Sequence, residues 1–234
     1  MVNINEIYEK KGTLKPCVLH KDDLLPLTAI IQETFTTNEI ERHFHISTSL
    51  GDTRIFANSL EGFFKQPDLP EKITDLAFWI ESWDSMGDID KNILLDFSKY
   101  SIKINVEGKD PAWVNDKYVK ICKYLGTKTA WYWPLISMER FITFVITLML
   151  ISSIVVSRKI NQVYYHLEVV ALVFIWIFFV FYDTRKIWPY TNVRLTNQTS
   201  IFTRENIIAV AIITLLVATM IGATIWPLFK MGKY

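Results

Sequence analysis

From Ile207 to Phe229 the chain runs for 23 residues without a charged side chain, and no other feature narrows the possible folds as much. At a rise of 1.5 Å per residue, about 20 apolar residues cross the ~30 Å hydrocarbon core of a bilayer. Two further stretches approach that length. One is 135–157, whose uncharged core Phe141–Ser157 is 17 residues long, and the other is 163–182, 20 residues interrupted by His166 and Glu168. Aromatic residues flank these runs: Trp131 and Trp133 ahead of the first, Trp188 and Tyr190 after the second, and Trp226 near the end of the third. Amphipathic rings in such positions suit the headgroup level of a membrane.

Charge divides the same way. Residues 1–134 hold 16 Lys/Arg against 20 Asp/Glu, a net −4, and residues 135–234 hold 9 against 4, a net +5, giving the overall +1. This pattern excludes a basic nucleic-acid binder and a disordered chain. Cys17 and Cys122 are the only cysteines and lie far apart, so no disulfide framework is expected. The opening MVNINEIYEKKG lacks an apolar core of the kind a cleavable signal peptide needs.

These features predict an α+β cytosolic domain over 1–130, followed by an all-α three-helix transmembrane region over 131–234 with spans at 135–157, 163–182 and 207–229. Beside the spans, eight Lys/Arg fall on one side and four on the other, which places the N-terminus in the cytoplasm and the C-terminus outside in a multi-pass inner-membrane protein. Ala211, Thr214, Ala218 and Gly222 make a small-residue helix face suited to close packing in a homo-oligomer. His166 and Glu168 are intramembrane polar residues, best neutralised by Arg158 or Lys159 nearby.

The first half reads as a sheet of about four antiparallel strands with two to three helices. Asp22 or Asp23 caps a helix with Leu27, Ile30, Ile31 and Phe35 on its apolar face. Alternation over 41–50 predicts a strand, and Gly51-Asp52 a turn. Ser59–Lys65 reads as a short helix ended before Pro67. Leu76, Phe78 and Ile80 face one way in the next strand, with Trp79 and Trp83 opposite. The strands around Ile93–Phe97 and Ile102–Val106 complete a meander, and Asp110-Pro111 opens a helix burying Val114, Tyr118, Ile121 and Leu125. The stretch Ile93–Leu125 resembles small α+β modules that precede membrane hairpins in prokaryotic proteins, a resemblance that implies no active site.

Chemistry-bearing motifs are sparse. The sequence contains no glycine-rich phosphate loop, no nucleophile elbow and no zinc-spaced Cys/His set, so no catalytic residue, metal site or cofactor is expected. His43-x-His45 with Glu41 is the nearest approach to a metal site, but histidines on the polar face of a strand ordinarily face solvent. Asp84, Asp88 and Asp90 lack the calcium-loop pattern. Lys117, Lys120, Lys123 and Lys128, with Trp131 and Trp133, form the surface expected to face anionic headgroups. The expected function is non-enzymatic: a sensory or regulatory cytosolic domain coupled to an oligomeric transmembrane bundle. By analogy, a bacterial stress or phage-defence effector altering membrane integrity is its most concrete form. An anchor or scaffold recruiting a cytosolic partner protein is the alternative, ahead of a membrane enzyme. The partners expected are the lipid bilayer and further copies of the chain, with no nucleic acid.

Overall fold

The computed structural model describes residues 6–137 and 188–195, together with Thr143, Phe144, Thr147, Val170, Val173, Ile207, Val210, Ala211 and Thr214 as isolated helical positions. The chain divides into two compact units, Met1–Trp133 with Pro189–Gln198, and Pro134–Trp188 with Thr199–Tyr234. The first unit contains nearly all the described elements.

In chain order these are β1 (Tyr8–Leu14), β2 (Cys17–His20), α1 (Lys21–Gln32), α2 (Thr37–His43), β3 (His45–Leu50), β4 (Thr53–Ala57), α3 (Leu60–Phe64), β5 (Lys72–Ile73), β6 (Leu76–Trp83), β7 (Ile89–Phe97), β8 (Ile102–Gly108), α4 (Pro111–Gly126) and β9 (Thr191–Arg194). One sheet has six strands in the order β1-β8-β7-β6-β3-β4, and a second has three in the order β2-β9-β5. The six-stranded sheet is antiparallel at every pairing.

The meander β6–β7–β8 follows from strict alternation. Leu76, Phe78 and Ile80 are buried, as are Ile93, Leu95 and Phe97, and Ile102, Ile104 and Val106. Register aligns Ile104, Leu95, Phe78 and Ile46 in one inward row. Phe78 stands edge-on to Phe97 at 6.1 Å. Against this face α4 packs on β1 and β8, α1 on α4, and α2 on β6. The turn glycines Gly51 and Gly87 take φ of 58° and 84°, a region closed to most side chains.

Capping fixes the helices. Asp110 accepts from the Ala112 amide with Pro111 in the first turn of α4, and Asp23 accepts from the His20 amide at the start of α1. Helix α2 was not anticipated, because residues 41–50 alternate like a strand. The Thr36 hydroxyl and the Glu39 carboxylate form a reciprocal capping box that holds this stretch helical as far as His43. The four expected strands correspond to β3, β6, β7 and β8, with β1 and β4 added at the two edges.

The transmembrane expectation requires correction. Among the described residues no helix is long and apolar enough to cross a membrane. The longest, α4, has 16 residues and is amphipathic, with Val114, Ile121 and Leu125 buried and a polar opposite side. The all-α three-helix transmembrane region, the transmembrane and inner-membrane assignment, and the multi-pass orientation with an external C-terminus are therefore not supported. Length and apolarity are needed for a span, but a buried helix meets the same two conditions. Apart from the isolated positions and the last residues of the helix α5 (Trp133–Ser137), the expected spans 135–157, 163–182 and 207–229 lie outside the described residues. The stretch expected to form a loop between two spans supplies β9, which runs parallel to β2 and antiparallel to β5.

Candidate functional site

The outward face of the six-stranded sheet is the candidate site. Strand register lays its side chains out in rows. One row runs Glu9, Glu107, Asn92, Glu81 across β1, β8, β7 and β6. The next runs Lys11, Asn105, Leu94, Trp79, His45, and a third runs Thr13, Lys103, Asp96, Ala77, Ser47, Phe56. A face left to solvent is ordinarily polar, yet this one exposes Leu94 (40%), Trp79 (43%), Trp83 (48%) and Phe56 (58%).

Hydrogen bonds hold the face in shape. The Trp79 indole donates to Asn92 Oδ1 at 3.1 Å, and the Asn92 amide donates to Glu107 at a long 3.4 Å. The His45 ring lies 5.8 Å from Trp79 and is 3.2 Å from Asn58 Oδ1. Glu9 pairs with Lys11 at 2.6 Å, and hydrogen bonds from Lys11 and Asn105 hold its carboxyl below the ordinary carboxylate range.

Over β1, β8 and β7 the face dips into a groove of about 390 Å³ lined by Lys11, Gly12, Thr13, Leu94, Asp96, Lys103, Ile104 and Asn105. Asn105 Oδ1 is buried there without a hydrogen-bond donor. The groove therefore joins an apolar floor, two ammonium groups and a carboxylate.

The residues singled out from the sequence lie elsewhere. Lys117 is 0% exposed, its ammonium donating to the Ile30 carbonyl at 2.7 Å and to Glu33 at 3.0 Å. Burial lowers its pKa from the usual lysine value, with Glu33 opposing the shift. Lys120 shares Glu33 and also pairs with Asp116, and Lys128 pairs with Asp23 at 2.7 Å, so these lysines bind α4 and its exit to α1. Lys123 is exposed. Trp131 is exposed with its ring edge-on to Tyr132, and Trp133 meets Tyr190 at 6.3 Å. Ala211 and Thr214 are helical and exposed, whereas Ala218, Gly222, His166 and Glu168 lie outside the described residues.

His43 ends α2 and His45 begins β3, so the pair does not share a strand face. Among the described residues no group of three or more His, Cys, Asp or Glu could hold a metal ion. Asp84 serves a structural role: it accepts from the Met86 and Asp88 amides and pairs with Lys109, which brings its pKa down to about 2. Burial pushes the Cys17 thiol up to about 12. The outward residues of β6 were legible in the alternation of Trp79 and Trp83 against Phe78 and Ile80, but alternation alone assigns no role. The groove was not legible, because it depends on β1 pairing with β8 nearly a hundred residues away. No protein-family model, curated protein or solved structure matches this chain.

Proposed function

We propose that the sheet domain is a non-enzymatic regulatory module that senses a small ligand in the groove over β1, β8 and β7. The observation that carries this reading is the groove of about 390 Å³ that sets Lys11, Lys103 and Asp96 around Leu94. Its size falls in the range of small-molecule sites, and its mixture of an apolar floor with a few polar groups is typical of them. The groove offers an amide, a hydroxyl and charged groups that hold and orient a molecule. The chemistry favours an amphipathic acid: the carboxylate against Lys11 or Lys103, an N–H or O–H group toward Asp96, and the apolar body over Leu94.

Ligand-observed NMR of the full-length protein with a set of small amphipathic acids tests this. Compounds that bind the native chain should lose binding in Leu94→Glu, which fills and charges the floor, and in Lys103→Glu, which repels the carboxylate. If no compound binds in a way that either substitution weakens, the groove is not a ligand site.

A further inference from the structure

Strand β6 places Trp79, Glu81 and Trp83 at alternate positions on the outward face, beyond the groove. Alternate residues of a strand lie about 6.6 Å apart on one side, so the carboxylate stands between two indoles. Both rings are open to solvent at 43% and 48%. Trp79 is held by its bond to Asn92 and by the neighbouring His45 ring, so it does not need ordering when a partner arrives.

The charge around this pair is one-sided. Glu81 has no ion-pair partner among the described residues, and Glu107 is contacted there only through the Asn92 amide. Glu107 also lies directly opposite Glu9 in register, an arrangement of like charges that works against strand pairing. Lys11 at Glu9 is the one cation paired to that row among the described residues. A row of three carboxylates with a single paired ammonium, bordered by exposed indoles, lacks positive charge and offers aromatic faces to receive it. An arriving guanidinium can bond a carboxylate through its planar fork while stacking on an indole, a combination an ammonium matches less well. An extended peptide repeats at the same ~6.6 Å spacing as β6, so its alternate side chains meet the face in step. Nucleic acid and anionic surfaces would be repelled by the same row.

We propose that the Trp79–Glu81–Trp83 face, with Glu107, docks a basic extended segment of a partner protein, arginine side chains seated on Glu81 and against the two indoles. This site is independent of the groove reading, since none of its residues lines the groove and its ligand has the opposite charge.

The test uses the full-length protein and three synthetic nonapeptides carrying arginine, lysine or glutamate at alternate positions, titrated by tryptophan fluorescence. The arginine peptide should bind, the lysine peptide more weakly, and the glutamate peptide not at all. Glu81→Lys and Trp83→Ala should each weaken the arginine peptide about tenfold, in line with loss of one charge-assisted or cation–π contact. Glu81→Gln preserves shape and should give a smaller loss, which separates recognition from misfolding. Asp22→Asn, which removes an exposed carboxylate on α1, should change nothing. The proposal is overturned if the native chain does not bind the arginine peptide. It is equally overturned if Asp22→Asn weakens binding as much as Glu81→Gln, because the attraction would then be only diffuse charge.

Discussion

Replacing Glu33 with Gln should destabilise the sheet domain more than replacing Lys117 with Met, although Glu33 is the half-exposed partner. The buried charge is the lysine. Its ammonium has two protein acceptors, the Ile30 carbonyl at 2.7 Å and Glu33 at 3.0 Å. A hydrogen bond to a charged group is worth about 1.5–3 kcal/mol, and removing one partner of a buried pair strands the other. Glu33→Gln leaves the ammonium enclosed with one backbone acceptor and a neutral amide, at a cost of about 2 kcal/mol. Lys117→Met removes both bonds but also the desolvation cost, fills similar volume and leaves Glu33 paired with Lys120, for a loss of about 1 kcal/mol. With the charge gone, Gln at position 33 costs little more, so the double variant should lose about 1 kcal/mol and the cycle should show a coupling of about 2 kcal/mol.

The pH dependence has a definite sign. Burial holds the folded Lys117 pKa below its usual value, so between the two values the unfolded chain carries more protons and stability rises with pH. The stability of the native chain minus that of Lys117→Met should therefore increase as pH rises toward the ordinary lysine value of 10.5. Urea unfolding of the full-length protein, followed by tryptophan fluorescence, measures both effects. Additive single substitutions, a milder Glu33→Gln than Lys117→Met, or a difference that falls with pH would refute the reasoning.

Other consequences are simpler. Asp110→Ala removes the side-chain cap of α4 and should cost about 1 kcal/mol in the same assay, with Asp110→Asn close to neutral. Asp84 is depressed to about 2 when folded, so its contribution is complete above its usual value near 3.8 and disappears as pH falls through about 2. Asp84→Asn should therefore lower the urea midpoint at neutral pH and have little effect at the acid limit. Cys122 is half-buried and should react with a thiol reagent in the native state well before Cys17, whose thiol is fully enclosed and raised to about 12; peptide mapping of the labelled protein reads the order.

How much of this architecture the sequence discloses depends on whether a signal is local. The meander β6–β7–β8 shows itself through runs such as Leu76-x-Phe78-x-Ile80, and α4 through Asp110-Pro111, because neighbours in sequence decide both. Strand β1 is hidden because its inward positions include Lys10, whose ammonium lies 4.8 Å from the centre of the Tyr118 ring, and Gly12, which faces the Tyr118 hydroxyl. A lysine stem lying on a ring reads as polar in any pattern. Strands β2, β5 and β9 have two to four residues each, and Cys17 pairs with Thr191, so only tertiary contact defines them. The strand expected over 41–50 failed where the Thr36–Glu39 capping box, itself local and readable, overrode alternation. The lysines on and just after α4, Lys117, Lys120, Lys123 and Lys128, read as one basic surface because spacing does not reveal that Glu33 lies beside Lys117 and Lys120. Long apolar runs in the second half suggested spans, and among the described residues no helix satisfies that requirement.

The central claim is that recognition takes place on the outward face of the six-stranded sheet. Indole NMR of the full-length protein tests it within one sample, because Trp79 and Trp83 are on that face while the Trp113 indole donates to Thr34 on the helical side. Titration with the arginine nonapeptide should shift the Trp79 and Trp83 indole resonances together and leave Trp113 in place. Movement of Trp113 with silent outward indoles would contradict the account and place binding on the helices.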